Sequence, residues 1–356
     1  MTEPHPPRSD RRAAPDDDAQ VGAARALRRR RLVAAFLCAA ALPRVTHAAP
    51  LAPLGGRPAR VALLMTGTTD SHGHVLAAFT AAMAQLGWVE GRDVVYTVRW
   101  AGGRTDRYAP LAAELARQDP DIVVTGTAAA TRAAAEAAPR AVILMGYGSD
   151  PVGNGLVASL ARPGGRVTGL TNLGEGIVGK MVELLRTLVP RARRFAIVVN
   201  PGNPTSKLFR ADAVNAATTL EVATDVRELA APEGLPALFA DLARLRPDGV
   251  VVTPDPLFLA QRLAFAERAA SARLPFIYFQ REFVQAGGLL SYGSSLRDAY
   301  ARAAAYADRL LKGADPATLP VEQPTRFELT VNTATARSLG LTVPQSLLLR
   351  ADEVIS

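Results

Sequence analysis

The chain has 356 residues, 49% of them hydrophobic and 21% charged, which places it among globular proteins and outside the disordered class. Its formal net charge of +8 is spread unevenly: residues 1–48 hold nine Arg against five acidic residues, and the remainder holds 32 basic against 28 acidic residues. So dilute a surplus gives no argument for a nucleic-acid partner. The single cysteine, Cys38, lies in the N-terminal segment, so the rest of the chain has no disulfide framework, no thiol nucleophile and no Cys-ligated metal.

In chain order, residues 1–27 are rich in Pro, Asp, Arg and Ala without periodicity, the composition of a disordered extension. Arg28 to Arg31 then precede an apolar run, Leu32 to Leu42, that is too short to span a bilayer comfortably. This pattern predicts a signal peptide over residues 1–48, cut after Ala48, with Thr46 and Ala48 in the two small-residue positions. Arg29-Arg30-Arg31-Leu32-Val33 weakly resembles a twin-arginine signal, so both the Sec and the twin-arginine routes stand. Leu37 occupies the place where a lipoprotein signal at Cys38 would want a small residue. The mature protein is expected in the periplasm.

After a Pro/Gly linker, Val61 to Met65 reads as a first strand. Gly67 to Gly73 follows as a polar loop, and Val75 to Leu86 as a helix. Thr68 and Ser71 are candidate ligand contacts there, and Ser71 or Asp70 can cap the helix and present N–H groups to an anion. His72 and His74 alternate in that loop without further ligands in view, so they read as solvated rather than metal-binding. Val94 to Trp100 is a strand, Arg104 to Arg117 a helix, and Ile122 to Thr125 a strand opening through Gly126 and Thr127 into a helix. That corner is the best small-anion site in the sequence: Gly126 permits close approach, and the Thr127 hydroxyl stands beside the exposed N–H of Ala128. Ala141 to Met145 is a buried strand entering MGYGSDPVGNGLVASLARPGGRVTGLT, which supplies a mouth, a helix and a crossing to a second domain. Ligands in open α/β sheets sit beyond the carboxyl ends of strands, which puts Ser149 and Asp150 at that mouth.

The pattern then repeats. Gly179 to Val189 is helical, Arg194 to Val199 a strand, and Asn200-Pro201-Gly202-Asn203-Pro204 another mouth loop. Val250 to Thr253 is a strand ended by Pro254-Asp255-Pro256, with one helix from Leu257 to Ala272. Phe276 to Phe279 is a strand followed by Gln280-Arg281-Glu282, Leu289 to Tyr292 is short and extended, and Leu296 to Leu311 is helical. Two βαβα series of similar length argue for an α/β protein of two doubly wound parallel sheets facing each other. No Walker A or GxGxxG sequence occurs and the four His lie at 5, 47, 72 and 74, so neither a cofactor, a metal site nor a catalytic set is expected.

The segments LGWVEGRDV, GSDPVGNGLVASLARPGGRVTGL, PDPLFL, REFVQAGGLLSYG, LPVEQPTRFELTVN and LGLTVPQSLLLRADEVI together resemble the periplasmic-binding-protein-like ABC transporter substrate-binding family with tryptophan- and tyrosine-associated members. The resemblance covers roughly Arg60 to Ile355. It implies a type I binding-protein fold: lobe 1 from 57–170 plus 290–322 and lobe 2 from 171–289 plus 323–356, joined by three crossings near Leu170, Leu290 and Gln323. It also implies a small ligand, an amino acid, often aromatic, or a related carboxylate. Thr127 and the Ala128 N–H match the helix-start carboxylate site, Asp150 is the ammonium partner, and Asn200, Asn203 and Asp255 face it from lobe 2; Arg281, in the loop after the Phe276–Phe279 strand, is a further candidate ligand contact. The expected partners are the ligand and an inner-membrane ABC permease with its ATPase, with the receptor monomeric. The competing functions are an exported enzyme using the Asp150 and Asp255 carboxylates, and a ligand-sensing partner of a membrane receptor.

Overall fold

The computed structural model describes residues 56–172 and 176–356; the predicted export signal and its cleavage site lie outside the described residues. The first sheet has five strands, β1 (Ala59–Met65), β2 (Val94–Trp100), β3 (Ile122–Thr125), β4 (Val142–Gly148) and β5 (Val167–Thr171), in the order β2-β1-β3-β4-β5. All its pairings are parallel. Strands such as Leu63-Leu64-Met65 and Val123-Val124 are buried on both faces, as parallel strands covered by helices must be.

The helices of this half are α1 (Thr69–Gln85), α2 (Tyr108–Ala116) and α3 (Ala128–Ala137). Helix α1 begins six residues before the periodicity alone suggests. The cause is a capping box: Thr68 Oγ1 accepts the Ser71 N–H at 3.0 Å and Ser71 Oγ accepts the Thr68 N–H at 2.9 Å. Residues 149–166 form turns rather than the expected helix; Pro151 and the glycines at 153 and 155 leave no uninterrupted helical run.

The second sheet has seven strands. These are β6 (Arg194–Val199), β7 (Ala223–Glu228), β8 (Gly249–Val252), β9 (Phe276–Tyr278), β10 (Leu290–Gly293), β11 (Glu328–Asn332) and β12 (Glu353–Ile355), in the order β12-β11-β10-β9-β8-β6-β7. Only β10 and β11 pair antiparallel. Its helices are α4 (Ile177–Leu188), α5 (Ser206–Thr219), α6 (Leu235–Leu245), α7 (Pro256–Ala260), α8 (Arg262–Ala272) and α9 (Arg281–Gln285). The expected single helix after Pro254 is broken at Gln261 into α7 and α8.

The chain then returns to the first sheet. Helix α10 (Leu296–Leu311) packs on α1 and β4, burying Leu296, Tyr300, Ala303, Ala304, Ala307 and Leu311 at helical spacing. Residues 321–322 add to the edge beside β5, where the Thr171 N–H donates to the Glu322 carbonyl at 2.8 Å. β11, α11 (Thr333–Ser338), α12 (Gln345–Leu348) and β12 complete the second half. The second crossing falls after Gly293 and not at Leu290, because 290–293 is a full strand of the second sheet, paired to β9 and β11. No described helix is long and apolar enough to cross a membrane.

Candidate functional site

Both sheets point the carboxyl ends of their strands at one cleft. Its walls come from the end of β1 (Thr66), the first turn of α1 (His72), and the ends of β3 (Gly126, Thr127, Ala128) and β4 (Tyr147, Ser149) on one side. Asn203, Pro254, Asp255, Pro256, Leu259 and Phe279 face them, with Leu296 and Tyr300 of α10 beneath. The cleft is nearly shut: counted to its open mouth, with the solvent space there, it holds about 460 Å³, of which about 30 Å³ admits the centre of a water-sized sphere.

On the first-lobe side, Thr127 is the N-cap of α3 in extended backbone, its Oγ1 accepting the Ala130 N–H at 3.2 Å. The N–H groups of Ala128 and Ala129 stay unused by the helix and end the positive pole of its dipole at the cavity. On the second-lobe side, Asp255 is the N-cap of α7 and is only 4% exposed. Its Oδ1 accepts from Asn200 Nδ2 at 3.1 Å and from the Leu257 N–H at 2.9 Å; its Oδ2 accepts from Asn203 Nδ2 at 2.9 Å. A carboxylate oxygen has room for two donors, so Oδ2 keeps one acceptor position. Burial pushes the Asp255 carboxyl up to about 6, against the pull of those three hydrogen bonds. The buried Tyr108 phenol stands near both walls: burial and the Asp255 charge raise it, while hydrogen bonding with Thr127 acts the other way.

Of the residues expected from sequence, Thr127, Ala128, Ser149, Asn203 and Asp255 come together in this cleft, and Asn200 supports Asp255 from behind. Thr68 and Ser71 do not line it; their side chains are taken up in the capping box. Arg281 lies elsewhere, half exposed beside Glu328 at 3.8 Å and lining a separate surface hollow with His74 and Glu282. Asp150 also lies outside. Its backbone adopts φ +42° and its Oδ1 accepts the Gly153 N–H at 2.9 Å, so its carboxylate closes the turn after Ser149. The strand-exit rule located the loop correctly but said nothing about which way this side chain turns.

Several cleft residues were not expected. Tyr147 is held by Gln280 Nε2 at 2.7 Å and by the Ser294 hydroxyl at 3.1 Å, a network spanning both lobes. Phe279, Leu259, Leu296 and Tyr300 supply apolar wall. His72 is 2% exposed rather than solvated, because the capping box pulls it into the first turn of α1. Nothing in the local sequence distinguishes an inward from an outward residue in a loop that becomes helix only through its cap.

The lobes meet at the rims of the cleft. Asp70 pairs with Arg262 at 2.7 Å, His74 with Glu282 at 3.1 Å, and Asn154 Nδ2 reaches Thr205 Oγ1 at 3.4 Å. Gly103, with φ +77°, lies so close to α7 that a Cβ there would stand 2.7 Å from the Leu257 Cα. The arrangement is a closed two-lobed receptor for a small solute.

Residues 60–355 match the family described as ABC transporter substrate binding protein, and the chain belongs to that family. A tyrosine-binding protein of Clostridioides difficile (strain R20291) is 22% identical over 263 residues, 74% of this chain and 75% of that protein. Among solved structures, the Streptococcus pneumonia ABC domain in complex with L-Trp superposes with a TM-score of 0.78 at 22% identity, over 84% of this chain and all of that one. A conserved domain protein of Vibrio cholerae gives 0.79 at 22% identity over the same shares. The fold is that of the type I periplasmic binding proteins.

Proposed function

We propose that the protein is the exported receptor of an ABC importer and that its ligand is an α-amino acid held as a zwitterion across the cleft. The observation that carries this reading is the pairing of opposite electrostatics on facing walls. Unused N–H groups and a dipole end at Ala128 suit a carboxylate, and the buried, incompletely satisfied Asp255 suits an ammonium. Asp255 takes the role that the sequence suggested for Asp150. The named ligands of the C. difficile and pneumococcal relatives, tyrosine and L-Trp, support the same class. Closure on the ligand would present both lobes to a permease, and binding proceeds without turnover.

Native mass spectrometry of the exported protein, followed by calorimetric titration with L-amino acids, tests this. One amino acid bound per chain and recovered unchanged is the expected result. Absence of binding by every amino acid, or release of a chemically altered product, would reject it. N-terminal sequencing of the periplasmic protein should begin at Ala49; a mature form that retains Arg28 would reject the export assignment.

A further inference from the structure

The wall at His72 has an unspent hydrogen-bonding group. Its Nδ1 contacts Ser71 Oγ at 2.9 Å, and the Nδ1–Cε1 edge lies against Gly67, where a Cβ would come within 2.0 Å of Nδ1. His72 lines the cavity, and among the described residues no hydrogen bond is formed by its Nε2, the ring nitrogen left over by the contact with Ser71. Burial, His74 and Arg262 together push the ring down to about 4, with Glu282 acting the other way, so His72 is a neutral group at physiological pH. A neutral imidazole cannot clamp an anion by charge. Whichever tautomer Ser71 sets, Nε2 keeps one N–H or one lone pair to offer.

The setting of that group matches one kind of ligand side chain. His72, in the first turn of α1, and Tyr147, at the carboxyl end of β4, both line the cleft from the first lobe. The phenol of Tyr147 is already engaged by Gln280 and Ser294. Phe279 and Leu259 supply apolar surface to the same cavity.

We propose that His72 is the specificity-determining residue of the cleft: its Nε2 reads a neutral hydrogen-bonding group, a hydroxyl or ring N–H, on an otherwise apolar ligand side chain. This rests on the amino-acid reading of the cleft. A buried partner left unmatched disfavours the analogue that lacks the group, so discrimination comes from what Nε2 loses as much as from what it gains.

The test is calorimetric titration of the full mature chain with L-tyrosine, L-tryptophan and L-phenylalanine, in the parent, His72→Leu and His72→Gln. In the parent, tyrosine or tryptophan should bind at least about tenfold more tightly than phenylalanine. His72→Leu should erase that preference, mostly by loss of the polar ligand's affinity, and His72→Gln, which keeps a neutral donor and acceptor, should restore part of it. Equal binding of all three by the parent, or an equal loss for all three in His72→Leu, overturns the assignment while leaving the amino-acid reading intact. Binding of none of them overturns the assignment, whereas the amino-acid reading falls only if every other L-amino acid also fails to bind. Thermal melting of the ligand-free variants separates a folding defect from a recognition defect, and a preference lost in a His72→Gln chain that melts like the parent also counts against the proposal.

Discussion

On the first lobe, the cleft wall at Thr127 is made of backbone: two helix N–H groups and a dipole, with one hydroxyl that already caps its own helix. On the second lobe, the matching corner at Asp255 is made of side chains: one buried carboxylate held by the amides of Asn200 and Asn203. Both corners are strand-to-helix turns with an N-cap residue lining the cleft. The difference teaches where a receptor of this kind is vulnerable. A backbone site survives substitution of its residues, because every residue brings an N–H; a single buried charge does not. The comparison also predicts which of the two corners responds to pH, since Asp255 ionises and the Thr127 corner is built of backbone and a hydroxyl.

The largest effect should come from preventing the two walls from meeting. Gly103→Val places a side chain against the α7 backbone and adds strain at φ +77°, so it opposes closure directly. Affinity should fall by about a hundredfold, since a ligand that binds the closed state is weakened by whatever fraction of closed state is lost. Small-angle scattering should show no compaction with ligand in this variant and clear compaction in the parent. Compaction in Gly103→Val equal to the parent's would break this part of the account.

The next effect is specific to the second wall. The Asp255 carboxyl lies near 6 in the fold against an ordinary 3.8, so the folded state prefers it protonated. Its contribution to stability is therefore present below about pH 4 and is lost as pH rises through about 6, a loss of about 3 kcal/mol at most. Relative to Asp255→Asn, the ligand-free parent should lose melting temperature over that window. Ligand should act in the opposite sense: an ammonium favours the carboxylate, so affinity tightens as pH rises through 6 and binding releases a proton. Parallel melting curves for the two proteins across this window would contradict the burial of an ionising Asp255.

The smallest effect belongs to the first wall. Thr127→Ala removes the cap bond to Ala130, worth about 1 kcal/mol of stability, but leaves the N–H donors in place. Affinity should change no more than a few-fold by calorimetry, with a lower melting temperature. A loss as large as that of Asp255→Asn would mean that the hydroxyl, not the backbone, holds the ligand.

Much of this asymmetry was legible in the sequence. TGTAAA announced a helix start with small residues, and PDP announced the end of a strand, because both signals are local. The six-residue extension of α1 was encoded too, in the Thr68–Ser71 box, but its effect was to bury His72, which depends on what the extended helix packs against. Asp150 shows the limit most plainly. Its loop was at the expected strand end, yet a left-handed backbone turn and the Gly153 N–H direct the carboxylate into the turn. The second crossing likewise has no local mark: whether Leu290–Gly293 joins the first or the second sheet is decided by β9 and β11, which are distant or downstream partners. Periodicity reports burial along an element, and it is silent about the lobe against which the element is buried.

The central claim is that Asp255, not Asp150, carries the charge that meets the ligand's ammonium. Its most direct test is a paired calorimetric titration of Asp255→Asn and Asp150→Asn with the amino acid that the parent binds. Charge-assisted hydrogen bonds are worth about 1.5–3 kcal/mol, so Asp255→Asn should bind about ten- to a hundredfold more weakly than the parent. Asp150→Asn should bind like the parent and show only a modest change in melting temperature, because Asn tolerates the left-handed backbone at position 150. Unchanged affinity in Asp255→Asn together with a selective loss in Asp150→Asn would contradict the account.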